Sequence, residues 1–313
     1  MRRVDGVPIV PPATLAALVE AHGGVLDPGV APGRVLERVG PADASGDYTI
    51  APLISRRGVS TLVTTAPVLL VAASLAAQVG PAGEGRRWVH PHAERVLAAL
   101  LACQGAPPPF VDAWVHPDTD ASRAIVEPGA RVGRDVVLGE GTRIATGAIV
   151  YPGVRLGARV VVGPGAIVGA VGFGFVDGET APLRLPHRAG VLVGDDVELG
   201  AACTIDAGIL APTVIGALSK LDAQVHVGHG VQVGARCRIA AQVGLAGSVV
   251  VDDEVWIGGQ AGVADHVRIG RAARVAAKAG VIGDVPPGAV FAGYPAVERG
   301  RWLRGHARLY RRS

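Results

Sequence analysis

The sequence predicts a mainly β protein: a β-solenoid preceded by a small α/β domain and followed by a helix. Three observations carry the prediction. First, a branched aliphatic residue recurs at every sixth position from Val126 to Val168, again at Val193, Leu199 and Ile205, and, after a slip of four residues, without a break from Ile215 to Val281. A helix repeats at about 3.6 residues and a strand at about 2, whereas a solenoid with three short faces per coil repeats every six, so that three rungs make one turn. Second, Gly is 45 of 313 residues and aromatics are only 4%, which suits tight corners around a narrow aliphatic core. Third, the hexad is absent from the first hundred or so residues, which mix helix-like and strand-like stretches.

Residues 1–105 read as the α/β domain, with helices over Pro12 to His22 and His92 to Cys103 and strands over Gly58 to Thr64 and Val68 to Val71. Val59 to Val79 is uncharged and long enough for the ~20-residue span of a membrane helix. Pro67 and the polar Ser60, Thr61, Thr64, Thr65, Ser74 and Gln78 break it up, so buried strands are expected instead. Residues 106–115 form a linker, its Pro107-Pro108-Pro109 run ending both helix and sheet. The solenoid occupies 116–288. Val171 to Gly190 is too long for a corner and leaves the prism as a loop, the kind of excursion that builds a binding face. Val285-Pro-Pro-Gly288 stops the coils, and 289–313 carries a basic helix from Ala296 to Arg312.

The apolar fraction of 49% excludes intrinsic disorder, and a net charge of +3 gives no reason to expect nucleic acid. The exception is the stretch from Arg299 to Ser313, with six Arg and no acid, suited to an acidic partner. Cys103, Cys203 and Cys237 are odd in number and far apart, which indicates neither a disulfide framework nor a cysteine metal site. A reducing cytoplasm is the simplest compartment. No export signal is read in Met1-Arg2-Arg3, because Asp5 and Pro11-Pro12 interrupt any apolar run.

Three of the nine His lie in the uninterrupted coils: His226, His229 and His266. Asp222, seven residues before His229, lies one face earlier on the same coil. Gly247, eighteen residues after it, stacks one coil further on, where its N–H is placed to serve an oxyanion. Spacing alone supports equally a catalytic dyad with an oxyanion donor, and a corner carboxylate with a turn glycine. His226 and His229 are three apart along a solenoid, not on a helix face, and no metal is expected.

The segments Leu221-Asp-Ala-Gln-Val-His-Val-Gly-His-Gly-Val-Gln-Val-Gly234, Val168-Gly-Ala-Val-Gly-Phe-Gly-Phe175, Leu185-Pro-His-Arg-Ala-Gly-Val-Leu-Val-Gly-Asp-Asp-Val-Glu-Leu-Gly200 and Thr204-Ile-Asp-Ala-Gly208, with Gly293-Tyr-Pro-Ala296 before Trp302, resemble the UDP-3-O-(3-hydroxyacyl)glucosamine N-acyltransferases of lipid A biosynthesis. The resemblance implies a left-handed parallel β-helix, an exception to the right-handed crossover rule. It also implies a homotrimer with sites between subunits, and acyl transfer from acyl carrier protein to the 2-amino group of a UDP-linked glucosamine, with no cofactor. On the matching positions, His229 is the expected general base, Asp222 its orienting carboxylate, Gly247 the oxyanion-hole amide and His266 a second active-site His. Tyr48, Phe173, Phe175, His187 and His226 are expected at the substrate, and Arg301, Arg304 and Arg308 at the carrier protein. The chain departs from the family at Val171, Ala207 and Gly230. It departs again at Ile50, Leu53 and Arg56, where the family carries uracil-binding residues, which leaves open another amino-sugar acceptor, an acyl-CoA donor, or a catalytically idle trimeric scaffold.

Overall fold

A computed structural model describes residues 7–42, 49–60, 62–80, 83–102, 110 and 114–310. The chain divides into two compact units: residues 1–107 with 174–189 and 209–211, and residues 108–173 with 190–208 and 212–313.

The first unit is built on a sheet in the order β1 (Val7–Thr14), β3 (Val35–Val39), β4 (Ile50–Leu53), β5 (Val68–Ala72), β6 (Arg87–His90), β2 (Val25–Leu26). β3 to β6 run parallel, while β1 and β2 pair antiparallel at the two edges. β4 is buried along its whole length and so is β5, the pattern of a central strand covered on both faces. Helix α1 (Leu15–His22) starts later than expected: Pro11 and Pro12 belong to β1, and Thr14 caps the helix by accepting the Ala17 N–H at 3.3 Å. The described residues of Gly58 to Thr64 form no strand, although the sequence predicts one. Helix α2 (Arg56–Ser60) lies there, because parallel neighbours such as β4 and β5 need a crossover between them. The uncharged stretch divides into the end of α2, β5 and a 3-10 turn over Ala73–Gln78. Among the described residues no helix is long and apolar enough to cross a membrane. Helix α3 (Ala93–Leu101) lies within the expected span and buries Val96, Leu97, Leu100 and Leu101. The excursion expected after Val168 supplies a hairpin, Phe175–Val176 with Leu183–Arg184, to this unit, and Leu185 joins its core.

The second unit is a left-handed parallel β-helix whose three faces are sheets of ten, eight and seven short strands. Residues eighteen apart pair along each face, as in Arg238, Trp256 and Arg274, or Gly244, Gly262 and Gly280. Each rung turns two side chains inward: the hexad aliphatic and the residue two before it, as with Val225 and Val227, Cys237 and Ile239, or Val243 and Leu245, all 2% exposed or less. One residue per rung takes the left-handed conformation, from Gly129 through Asp135 and onward to Lys278 at φ 58°. L-residues resist that region, so corner side chains add their own support. Gln260 donates to Gln242 at 2.8 Å and Gln242 to Gln224 at 2.7 Å, a ladder down one corner. The ten-stranded face ends with Val290–Ala292 and an antiparallel strand over Val297–Glu298, followed by helix α4 (Arg299–Tyr310).

The glycine that often follows the hexad aliphatic has a steric cause. A Cβ on Gly258 would lie 2.5 Å from the Ala277 nitrogen and 2.9 Å from the Ala276 carbonyl carbon on the next coil. Backbone cannot yield as a flexible side chain does. Gly258→Ala is therefore expected to cost about 1–3 kcal/mol and to lower the melting midpoint of the solenoid by roughly 3–10 °C, measurable by circular dichroism.

Candidate active site

His226 and His229 sit on one rung of the eight-stranded face. His226 opens the strand His226–Val227, and His229 occupies the corner that follows. The coil before places Thr204 opposite His226, and the coil after places Gly244 there. The corner is laced to those that follow: the Ser248 N–H donates to the His229 carbonyl at 2.9 Å, and the His266 N–H to the Gly247 carbonyl at 3.1 Å. A groove of about 780 Å³ runs along this face, lined by Phe173, Asp206, His226, His229, Gly247, Asp265, His266 and Tyr294 among others. Its floor is a row of glycines at the outward strand position. Side chains added at Gly244 or Gly262 would meet nothing within 4 Å, whereas the Tyr294 ring lies against Gly280 and closes that end.

The His229 ring lies directly on Gly247, where a Cβ would come within 2.7 Å of both Cε1 and Nε2. Burial pushes the His229 pKa below the ordinary imidazole value. The carboxylate of Asp206 opposes that shift, the neighbouring His266 adds to it, and a backbone hydrogen bond to Phe173 opposes it. The net downward shift favours the neutral ring, the form that accepts a proton. The Gly247 N–H donates to no backbone carbonyl among the described residues. Phe173 is 84% exposed and lines the groove.

Within one chain His226, His229, Gly247, His266 and Phe173 line one groove, and Asp222 lines another. A seven-residue separation carries the chain across a whole face, so within one chain Asp222 and His229 occupy opposite corners with the strand His226–Val227 between them. Asp222 accepts from the Ala223 N–H at 2.7 Å and lines a separate groove of about 530 Å³ with Lys220, Arg238 and Trp256. The carboxylate beside the imidazoles is Asp206. Its Oδ2 is 3.9 Å from His226 Nε2, and the Thr204 hydroxyl lies 2.7 Å from His226 Nδ1. Burial raises the Asp206 pKa, against the pull of His226 and His229.

Phe175 and His187 belong to the first unit. Arg184 lies over the Phe175 ring at 4.4 Å, and buried His187 donates from Nδ1 to the Leu185 carbonyl at 2.8 Å. Tyr48 lies outside the described residues. Arg301, Arg304 and Arg308 are exposed on α4. Ile50 and Leu53 are fully buried in β4.

Residues 135–170 and 212–247 match the bacterial transferase hexapeptide family. A UDP-3-O-acylglucosamine N-acyltransferase from Synechococcus elongatus is 50% identical over 142 residues, 45% of this chain and 40% of that protein. Its counterpart from Methylobacterium nodulans is 36% identical over 146 residues, 47% of this chain and 42% of that one. The match spans less than half the length of these relatives. Among solved structures, a UDP-N-acetylglucosamine acyltransferase from Bacteroides fragilis aligns with a TM-score of 0.52 at 24% identity, over 61% of this chain and 76% of that one, a likeness of fold.

Proposed function

From the relationship of this hexapeptide chain to the UDP-3-O-acylglucosamine N-acyltransferases, we propose that it is an acyltransferase. It moves a 3-hydroxyacyl chain from acyl carrier protein to the 2-amino group of UDP-3-O-acylglucosamine. The observation that carries this reading is the half-buried His229 ring set against Gly247 at a groove with a glycine floor. A neutral amine attacks the thioester carbonyl while His229 takes its proton. The alkoxide that develops is met by the Gly247 N–H, a donor of the kind whose loss typically costs ~3 kcal/mol. His266 borders the same groove. Exposed Arg301, Arg304 and Arg308 on α4 suit an acidic carrier protein, which such charges steer toward the site. The protein works as a homotrimer in the cytoplasm.

Incubation with 3-hydroxyacyl carrier protein and UDP-3-O-acylglucosamine should give the diacylated sugar by mass spectrometry. No product with several chain lengths rejects this reading. One observation favours a second acceptor: Ile50 and Leu53 are core residues and offer a uracil nothing, so other nucleotide-linked amino sugars belong in the same assay.

The floor of the groove sets a further expectation. Gly262 stands two coils beyond His226 in the ladder, about 10 Å along the face. Gly262→Leu should lower kcat/KM for long acyl donors at least about tenfold and leave short ones within about threefold. An unchanged chain-length profile would remove the acyl chain from this groove.

A further inference from the structure

The groove contains a buried carboxylate to which the expected mechanism gives no task. Asp206 is only 9% exposed, and Gly172 must lack a side chain to accommodate it, since a Cβ there would lie 2.5 Å from Oδ2. A carboxylate removed from water needs a partner. Those at hand are imidazoles: His226, whose Nε2 is 3.9 Å away, and His229, whose protonated form its charge favours. The Thr204 hydroxyl holds the other ring nitrogen, Nδ1, at 2.7 Å, which leaves Nε2 as the ring atom on the Asp206 side.

We propose that Asp206 is the positioning carboxylate of this site, orienting His226 and stabilising the imidazolium formed when His229 accepts the substrate proton, the place expected of Asp222. The kinetic part rests on the acyl-transfer reading. In that step the amine nitrogen bonds to the thioester carbon and loses a proton to His229. The C–S bond then breaks, and the thiolate leaves as a thiol with the proton His229 returns. Asp206 acts on this step through its charge, by way of the imidazoles. The titratable groups around it are His226 and His229 on the next coil, with Asp265 and His266 further along the groove; the strap Val171–Phe173 has none.

Asp206→Asn removes the charge and keeps the shape. It should lower kcat about 30- to 300-fold with KM within about threefold, and Asp206→Glu should recover at least about a tenth of the wild-type rate. It should also move the acidic limb of the kcat profile to lower pH, because removing a nearby anion makes an imidazole harder to protonate. Independently of any substrate, the His229 imidazole, followed by NMR in 15N-labelled protein, should titrate at lower pH in Asp206→Asn than in the wild type. If the wild type transfers no acyl group, the functional reading fails and the imidazole titration still decides the role of Asp206. An unchanged His229 titration, or a kcat within threefold of wild type, overturns the assignment. Circular dichroism checks the fold, and Asp206→Ser, smaller but likewise uncharged, carries the same readouts if the Asn variant does not fold.

Discussion

His229→Ala is expected to lower kcat for acyl transfer by about 10²–10⁴-fold, with KM for donor and acceptor changed less than about threefold. General-base catalysis contributes on that scale, and a base that acts only as the amine adds contributes little to ground-state binding. The ring fills no core position: it stands half-exposed at a corner, above Gly247, so the fold should tolerate its loss. Initial-rate kinetics with matched circular dichroism melts check both halves of the statement. A protein that keeps full activity without this imidazole is not using it as a base. A chain with no activity in either form is a scaffold.

The same residue sets the pH dependence. Only neutral imidazole accepts a proton, so kcat/KM should fall as acidification protonates His229. Burial lowers the His229 pKa, with Asp206 and the hydrogen bond to Phe173 pulling the other way and His266 adding to the effect. The fall should therefore set in below the range of an ordinary histidine. The residual rate of His229→Ala should lack that limb. A wild-type profile that already declines well above the ordinary imidazole range points to another group.

How far the site could be read from sequence depended on whether the coil period was intact. Between His229 and Gly247 the hexad runs unbroken, so eighteen residues meant one coil, and a glycine without side chain lies against the ring as expected. Before His226 the period slips by four residues, and the excursion Ile209–Ala211 belongs to the other unit. One coil there is twenty-two residues, which sets Thr204 against His226 and brings Asp206 alongside. The motif Thr204-Ile-Asp-Ala-Gly208 was in plain view, but its register was hidden by the slip. Asp222 misled for the opposite reason: nearness along the chain is not nearness in space when each rung turns a corner. The second inward position of each rung was also missed. It holds Ser219, Cys237, Ala261 or Val249, and so mixed a set shows no hydrophobic period. In the first unit, propensity made Gly58 to Thr64 look like a strand, and the need for a crossover between parallel neighbours overrode it.

Gly247→Ala should cost about 10²–10³-fold in kcat through a single contact. The new Cβ would lie 2.7 Å from His229 Nε2, closer than side-chain carbons approach, so the imidazole must move. Misplacing a catalytic group by about 1 Å is enough for a loss of order 10²-fold, and the oxyanion donor on the same residue shifts with the strain. Gly247 is not among the residues with a left-handed backbone, so alanine is compatible with its conformation and the fold should remain. The double variant makes the argument decisive. If the methyl group acts by displacing the imidazole, then once His229 is alanine the space is free, and adding Gly247→Ala should lower the residual rate by less than about threefold. Such non-additivity is the signature of two residues in direct contact. Losses that multiply in the double variant would mean that Gly247 acts on the reaction independently of His229, and the pairing of base and amide at this corner would have to be abandoned.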